Sequence, residues 1–543
     1  MNTSIKLGRL TILVLGLLMV GMSLPASAAD PVTPIPWEGL TSLSDYIGQP
    51  AKAHPTASSG VPQNPLLAPN PFNLVHMDPW NSDVVDLPGP LGYEPVIFSS
   101  TLVDGRRFKN PLSDMFECVG MTFTSQGHMI TSCFGKDEAS VVLLDPETLE
   151  VYDSYEVPVT LPSDVGGDTM TSTLTNGLSA SYIIFDRQER FFISTKDSEG
   201  KNKITVLAES GSDTSPELKQ DQEYDLSSWI SEQKRISGLA MDWEGRIWFY
   251  LSGSTPTSTT PAIPGAVFVL DPQKYPADDA VQSYTFSQDE QIRNSLAITK
   301  TGVYVVTSKK MYRFGLDSDG KPQVVWEEEY KNSGKMKPGQ YNAGSGTTPT
   351  ILGEGKYVAI TDNDEPYMHV VVYRTDEPLK EGKDRLVCEI PVFTYATGGA
   401  LDNSLLGSRL SIIVENNYGY QFDFDTMVVT DSEPGFERID INPNGRGCTK
   451  VWVNTEIAST SSAKLSTRTG LIYTYARQYD DQNEVWVYYW TALDFRTGEV
   501  VWQKMAGTGH TKYDTFWPAL YVGPNETLYV GVFGGLAAMK DTP

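Results

Sequence analysis

Trp243-Glu244-Gly245-Arg246-Ile247-Trp248-Phe249-Tyr250-Leu251 is a tight polar turn running into a strand of aromatic and branched apolar residues. The turn reverses the chain, and the run after it suits a pleated, packed surface. The same pair of features recurs along the chain. It reads SQGHMITSC from Ser125, RQERFFIST from Arg187, TKTGVYVVT from Thr299 and GEGKYVAIT from Gly353. It returns as LGSRLSIIV from Leu406, STRTGLIYTY from Ser466 and GPNETLYVGV from Gly523.

The residues opening these strands are His128, Arg190, Arg246, Gly302, Lys356, Arg409, Gly470 and Thr527, spaced 62, 56, 56, 54, 53, 61 and 57 residues apart. A near-constant period with variable loops marks a repeat architecture. Each unit adds an apolar strand before the turn, a third strand after a polar loop, and a less regular fourth. Four short antiparallel strands per unit, wrapped radially, make a β-propeller. Eight repeats predict an all-β fold of eight blades. Seven is the alternative, with the first or last repeat irregular. The last repeat has no room for a fourth strand before Pro543, while Pro95 to Val103 is a strand without a blade of its own. Pairing the two would clasp the ring and leave no open edge.

Outward from the repeats, the chain divides into residues 1–28, 29–93 and 94–543. Lys6 and Arg9, an apolar run from Leu10 to Met22 and Pro25-Ala26-Ser27-Ala28 have the order of a secretory signal peptide, which predicts a periplasmic or secreted protein. Residues 29–93 are rich in Pro, Ser, Asn and Gly, and proline removes backbone donors. An extended N-terminal arm is expected there, docked through Phe72, Leu74, Val75 and Trp80. No later segment is apolar enough to span a membrane. Cleavage after Ala28 leaves 40 basic and 68 acidic residues, a net charge of −28. That field repels phosphate backbones, so nucleic acid is not an expected partner.

Four cysteines in an exported chain suggest disulfides. Cys118 and Cys133 fall opposite one another if the strands around Ser125-Gln126 pair as a hairpin, which leaves Cys388 with Cys448. There is no C-x-x-C pair, so structural zinc is not indicated.

Ala492-Leu493-Asp494-Phe495-Arg496-Thr497-Gly498-Glu499-Val500-Val501-Trp502 resembles the A-x-D-x-x-T-G-x-x-x-W docking motif of quinoprotein alcohol dehydrogenase-like (PQQ-like) propellers. Fainter echoes run from Leu316 to Trp326 and from Leu144 to Tyr152. The resemblance implies that Trp502 packs between blades while Asp494 and the Thr497-Gly498 turn tie the strand connection. It does not bring the family's chemistry. The chain has neither the adjacent cysteine pair that closes over the quinone nor a C-x-x-C-H haem site, so PQQ is not an expected cofactor.

Candidate sites lie in loops that a propeller gathers around its channel. Thr361-Asp362-Asn363-Asp364-Glu365 leaves one second strand and Glu415-Asn416-Asn417-Tyr418 the next, while Asp402-Asn403-Ser404 leads into an innermost strand. Carboxylates mixed with amide oxygens suit calcium, with Asp362, Asn363, Asn403, Glu415 and Asn416 as the candidate ligands. Asn and Asp also form turns through their own side chains, the plainer reading. Asp362, Asp364 and Glu415, with His76 from the arm or His369 beside the loop, are the catalytic candidates. Lys309-Lys310, the Arg477 to Asn483 loop and His510 are read as charge balance or structure. Three functions follow: a channel-face binder of a small molecule or protein, a cation-assisted hydrolase or lactonase (or divergent oxidoreductase), and an assembly scaffold. Fold alone does not choose between them.

Overall fold

The structure is a computed structural model that describes residues 41–101, 116–134, 139–157, 182–197, 199–212, 215–231, 234–254, 262–340, 342–423, 428–459, 461–508, 513–515 and 517–542. The signal-peptide segment, the start of the arm and His510 lie outside the described residues.

The described secondary structure is all β. Four-stranded antiparallel meanders follow one another at 184–225, 236–285, 297–329, 350–391 and 406–454. The meander at 464–508 is widened to seven strands by short additions. The one at 116–157 shares an eight-stranded sheet with the strands of 521–540. Middle strands such as Ile247–Leu251 and Ala266–Leu270 are buried throughout, whereas the fourth strand Val151–Val157 alternates. Strands covered on both faces read as continuous apolar runs, and half-covered strands alternate.

The core lies between sheets. Phe192 packs with Leu239 and Phe249, Trp248 with Val303 and Tyr312, and Tyr304 with Ile351 and Val358. Val372 packs with Ile412, Ile413 with Leu465, and Trp490 shares a cluster with Leu528, Cys118 and Val142. Each cluster joins neighbouring meanders, and the last joins the end of the series to its start. The arrangement is that of a β-propeller. Val96–Thr101 pairs antiparallel with Gly534–Lys540, from Val96 opposite Lys540 to Thr101 opposite Gly535, as the clasp requires.

Residues 54–93 cross the ring twice on the side of the first hairpin turns. Outward, His54 N donates to Thr469 O, Asn64 Nδ2 to Met241 O and Asp242 O, and Ala68 N to Phe185 O. Phe72 O then accepts from Thr122 Oγ1 at 2.6 Å. On the return, Asn73 O accepts from Phe185 N, Pro79 O from Ile298 N, Trp80 O from Ile351 N, Ser82 O from Gly407 N and Asp83 O from Leu465 N. Those donors belong to the first strands of five meanders. The stretch therefore borrows the inner edge of the ring in place of a sheet of its own. Two proline-free pieces do pair as strands: Tyr46–Gly48 antiparallel with Val500–Thr508, and Val84–Val85 parallel with Lys464–Ser466.

Both disulfides form as expected. Cys118 and Cys133 are directly opposite on adjacent strands, and Cys388–Cys448 joins the outer strands of consecutive meanders. In the docking segment, Asp494 Oδ1 accepts from Arg496 N at 2.7 Å and Gly498 N donates to Asp494 O at 2.8 Å. Trp502 is fully buried, with Ala492 opposite it on the neighbouring strand.

Candidate functional site

Strand Tyr357–Thr361 ends where strand His369–Arg374 is about to begin, so the loop between them brings Asp362 back against His369. Asp362 Oδ1 accepts from His369 N at 2.7 Å, and Asp362 Oδ2 lies 2.8 Å from His369 Nδ1. Asp364 Oδ2 and Glu389 Oε1 each stand 4.0 Å from the same nitrogen, and Lys331 holds Glu389 at 2.9 Å. Burial alone would lower the pKa of His369. The hydrogen bond and charge of Asp362 outweigh it, and the imidazolium is favoured. Ligand atoms of Asp362, Asp364 and His369 lie within 4.8 Å of one another. Asn363 turns to the loop instead, donating to Asn332 Oδ1 and Lys335 O.

A second group is deeper. Asn403 Nδ2 donates to Glu415 Oε1, joining the lead-in of one strand to the end of the next. Asn416 is spent on its own loop, accepting from Ala400 N and Tyr418 N and donating to Gly398 O. Lys464 Nζ lies 2.6 Å from Asp83 Oδ1, and both side chains are buried. Asp83 also accepts from Ser404 Oγ and sits 3.3 Å from His76 Nδ1, whose Nε2 is 3.4 Å from Thr348 Oγ1. Burial would raise the pKa of Asp83, but the Lys464 ammonium and His76 hold it below the ordinary value. Glu415 has no such match. Burial pushes its pKa up to about 8 against Asn403, Ser459 and the more distant Lys464.

The residues proposed from sequence thus divide between two groups, with Asp362, Asp364 and His369 in one and His76, Asn403 and Glu415 in the other. Asp83, Lys464 and Glu389 were missed, and Ser404 was quoted in its loop without a role. Lys464, at the start of the strand that enters the repeat Ser466 to Tyr475, was the one visible signal. The remaining charged candidates are locally satisfied: Lys310 pairs with Glu327 at 2.7 Å and Lys309 with Asp289. Arg477 reaches Asp514 at 3.3 Å between the rings of Tyr420 and Trp486.

No family model matches the chain, and no curated protein sequence matches it. Among solved structures, a putative 6-phosphogluconolactonase from Bacteroides uniformis is 12% identical, covering 73% of this chain and 98% of its own, with a TM-score of 0.38. The Myceliophteria thermophila Cps50 (Swd1) β-propeller domain is 8% identical over 78% and 96%, with a TM-score of 0.36. The Dos1 propeller is 10% identical over 78% of each chain, with a TM-score of 0.33. The likeness is one of form, and it carries no activity across to this chain.

Proposed function

We propose that this chain is an exported eight-bladed β-propeller whose central channel binds a small polar molecule from the face opposite residues 54–93. Eight runs of four strands support the blade count, with Val96–Thr101 completing the last. Residues 29–93 are read as the arm, and the Ala492 to Trp502 segment as PQQ-like docking without the quinone. Two disulfides fit an oxidising compartment, and no described helix is long and apolar enough to cross a membrane. One observation carries the reading: His76, Asp83, Ser404, Glu415 and Lys464 are buried together beside the inner strands. Interior ionisable groups cost free energy, and their convergence, with Asp83 and Glu415 moved from their ordinary pKa values, favours a site over filler. Thermal unfolding against a panel of sugars, polyols, amino acids and organic acids tests it. A midpoint raised by one class, and not raised in Glu415→Gln or Ser404→Ala, supports channel binding. Shifts that survive both changes, or none at all, move the weight to an assembly scaffold.

The Asp362, Asp364 and His369 group favours a second reading, a cation-assisted hydrolase or lactonase. Two carboxylates and an imidazole suit zinc or manganese better than the calcium an all-oxygen set would take. The metal would polarise a carbonyl or phosphoryl oxygen. About one metal per chain, with a lower unfolding midpoint on chelation, supports this reading, and a metal-free, chelator-insensitive protein ends it.

A further inference from the structure

Several arginines reach no carboxylate among the described residues and give their guanidinium to backbone carbonyls instead, as Arg313 does to Thr375 O and Thr301 O and Arg374 to Asp384 O and Gly445 O. Arg293 does neither. Its guanidinium makes no ion pair or hydrogen bond among the described residues, and its Nε is buried. Its backbone is nevertheless fixed. Tyr250 Oη donates to Arg293 O at 3.0 Å, and Ile292 N donates to Ser252 O at 2.9 Å. On the other side, Asn294 Nδ2 donates to Gly346 O and its Oδ1 accepts from Tyr182 Oη at 3.2 Å. Gly238 leaves the space that the Tyr250 ring occupies, since a Cβ there would lie 2.5 Å from it. The charge that acts on Arg293 most strongly is Asp402, from the lead-in to strand Leu406–Ser408, across a different meander. Arg293 lies in the lead-in to strand Ala297–Thr299, its neighbour Asn294 bonds Gly346 in the lead-in to strand Thr350–Leu352, and Gly346 packs against Asp402, so the lead-ins of three consecutive meanders converge beside it. Burial holds its pKa below the ordinary guanidinium value, with Asp402 opposing from a distance. Arg235, at the corresponding lead-in of the preceding meander, is pushed down by burial to about 10.

We infer that the channel ligand carries an oxyanion, a carboxylate or a phosphate, and that Arg293 receives it. A guanidinium presents a rigid fork of donors that matches both groups in bidentate fashion. Tyr250 and Asn294 fix the backbone from which it projects, which limits the freedom lost on binding. Asp402 then serves as the counter-charge that keeps the unliganded site tolerable. This inference rests on the channel-binding reading and names the chemistry of its ligand.

Isothermal titration at low ionic strength with succinate, inorganic phosphate and uncharged erythritol tests it on the mature chain. Succinate or phosphate is expected to bind, and the one that does identifies the source of the oxyanion. Arg293→Gln is expected to weaken that binding about ten- to a hundred-fold, the usual worth of a charged hydrogen-bonding pair. Arg293→Lys, which keeps the charge but not the fork, is expected to recover part of it and covers the case in which the glutamine variant does not fold. Equal affinity in wild type and both variants overturns the inference. Binding of erythritol with neither anion overturns it while leaving channel binding intact. Silence from all three probes counts against both.

Discussion

Lys464 Nζ and Asp83 Oδ1 meet at 2.6 Å with both side chains buried, pairing the Pro-rich segment to the first strand of a meander near the end of the chain. Asp83 O also accepts from Leu465 N, so one residue anchors the segment through side chain and backbone together. A buried pair of this kind contributes little over an apolar replacement of both partners, but removing one strands the other. Lys464→Met is therefore expected to destabilise the protein by about 3–5 kcal/mol, and Lys464→Met with Asp83→Asn by clearly less. Urea unfolding midpoints measure both. A double variant no better than the single one would mean that the charge pairing is not what secures the segment.

Asp78 turns the same segment. It accepts from Trp80 N at 2.9 Å and from Ser82 N at 3.3 Å, and Ser82 Oγ bonds its other oxygen. Burial still dominates and pushes its pKa up to about 7, helped by the charge of Asp83 and opposed by the Ser82 and Trp80 bonds. The folded state thus holds a proton that the unfolded chain releases near pH 4, and stability falls as pH rises from there to 7. The loss is on the order of 4 kcal/mol for a fully buried group. Asp78→Asn is expected to flatten that part of the profile. Parallel stability curves for wild type and variant between pH 4 and 7 would remove Asp78 as the titrating group.

Cys388 and Cys448 bridge the outer strands of consecutive meanders, 60 residues apart in sequence. A loop of that length gives a chain-entropy stabilisation of about 4 kcal/mol, whereas the 15-residue loop of Cys118–Cys133 gives about 3. Cys388→Ala with Cys448→Ala is expected to lower the thermal midpoint more than Cys118→Ala with Cys133→Ala. The reverse order would show that the buried Cys118 pair acts through packing more than through closure.

The repeat and the Cys118–Cys133 bridge were legible because each is a local pattern, a turn before an aromatic strand and two cysteines across a hairpin, whereas Cys388–Cys448 followed by elimination and the clasp from a strand without a blade of its own. The central group was not. His76 and Glu415 were picked out singly, but Asp83 and Lys464 lie at opposite ends of the sequence and become partners only once the segment is laid across the ring. The Asx-rich loops carried two readings, calcium ligands and the plainer one of turn formers, and sequence spacing did not sort the side chains between them. Asn416 spends its amide on neighbouring backbone, and Asn363 gives its Nδ2 to the loop while its Oδ1 is buried without a hydrogen-bond partner among the described residues, which no spacing in the sequence reveals. Arg293 was invisible for a different reason, since what distinguishes it is the lack of a partner among the described residues.

Gly498 decides how two neighbouring meanders dock. Its φ is +75°, in the left-handed region, and a Cβ there would overlap the indole of Trp452 from the adjacent sheet. Around that contact, Trp452 Nε1 donates to Phe495 O at 3.0 Å and Asn454 Nδ2 to Gly498 O at 2.8 Å. Arg438 adds a hydrogen bond to Phe495 O and lies over the Phe495 ring. The Thr497-Gly498 turn is thus a socket for the preceding sheet as well as a reversal within its own. Gly498→Ala is expected to cost about 2–3 kcal/mol, combining the unfavourable backbone conformation with overpacking of the indole. If the indole is the obstacle, the cost in a Trp452→Leu background should drop to about 1 kcal/mol, the backbone part alone. A double-mutant cycle on unfolding free energies measures the coupling. Additive costs would place the strain wholly in the turn, and the docking role assigned to this segment would fail.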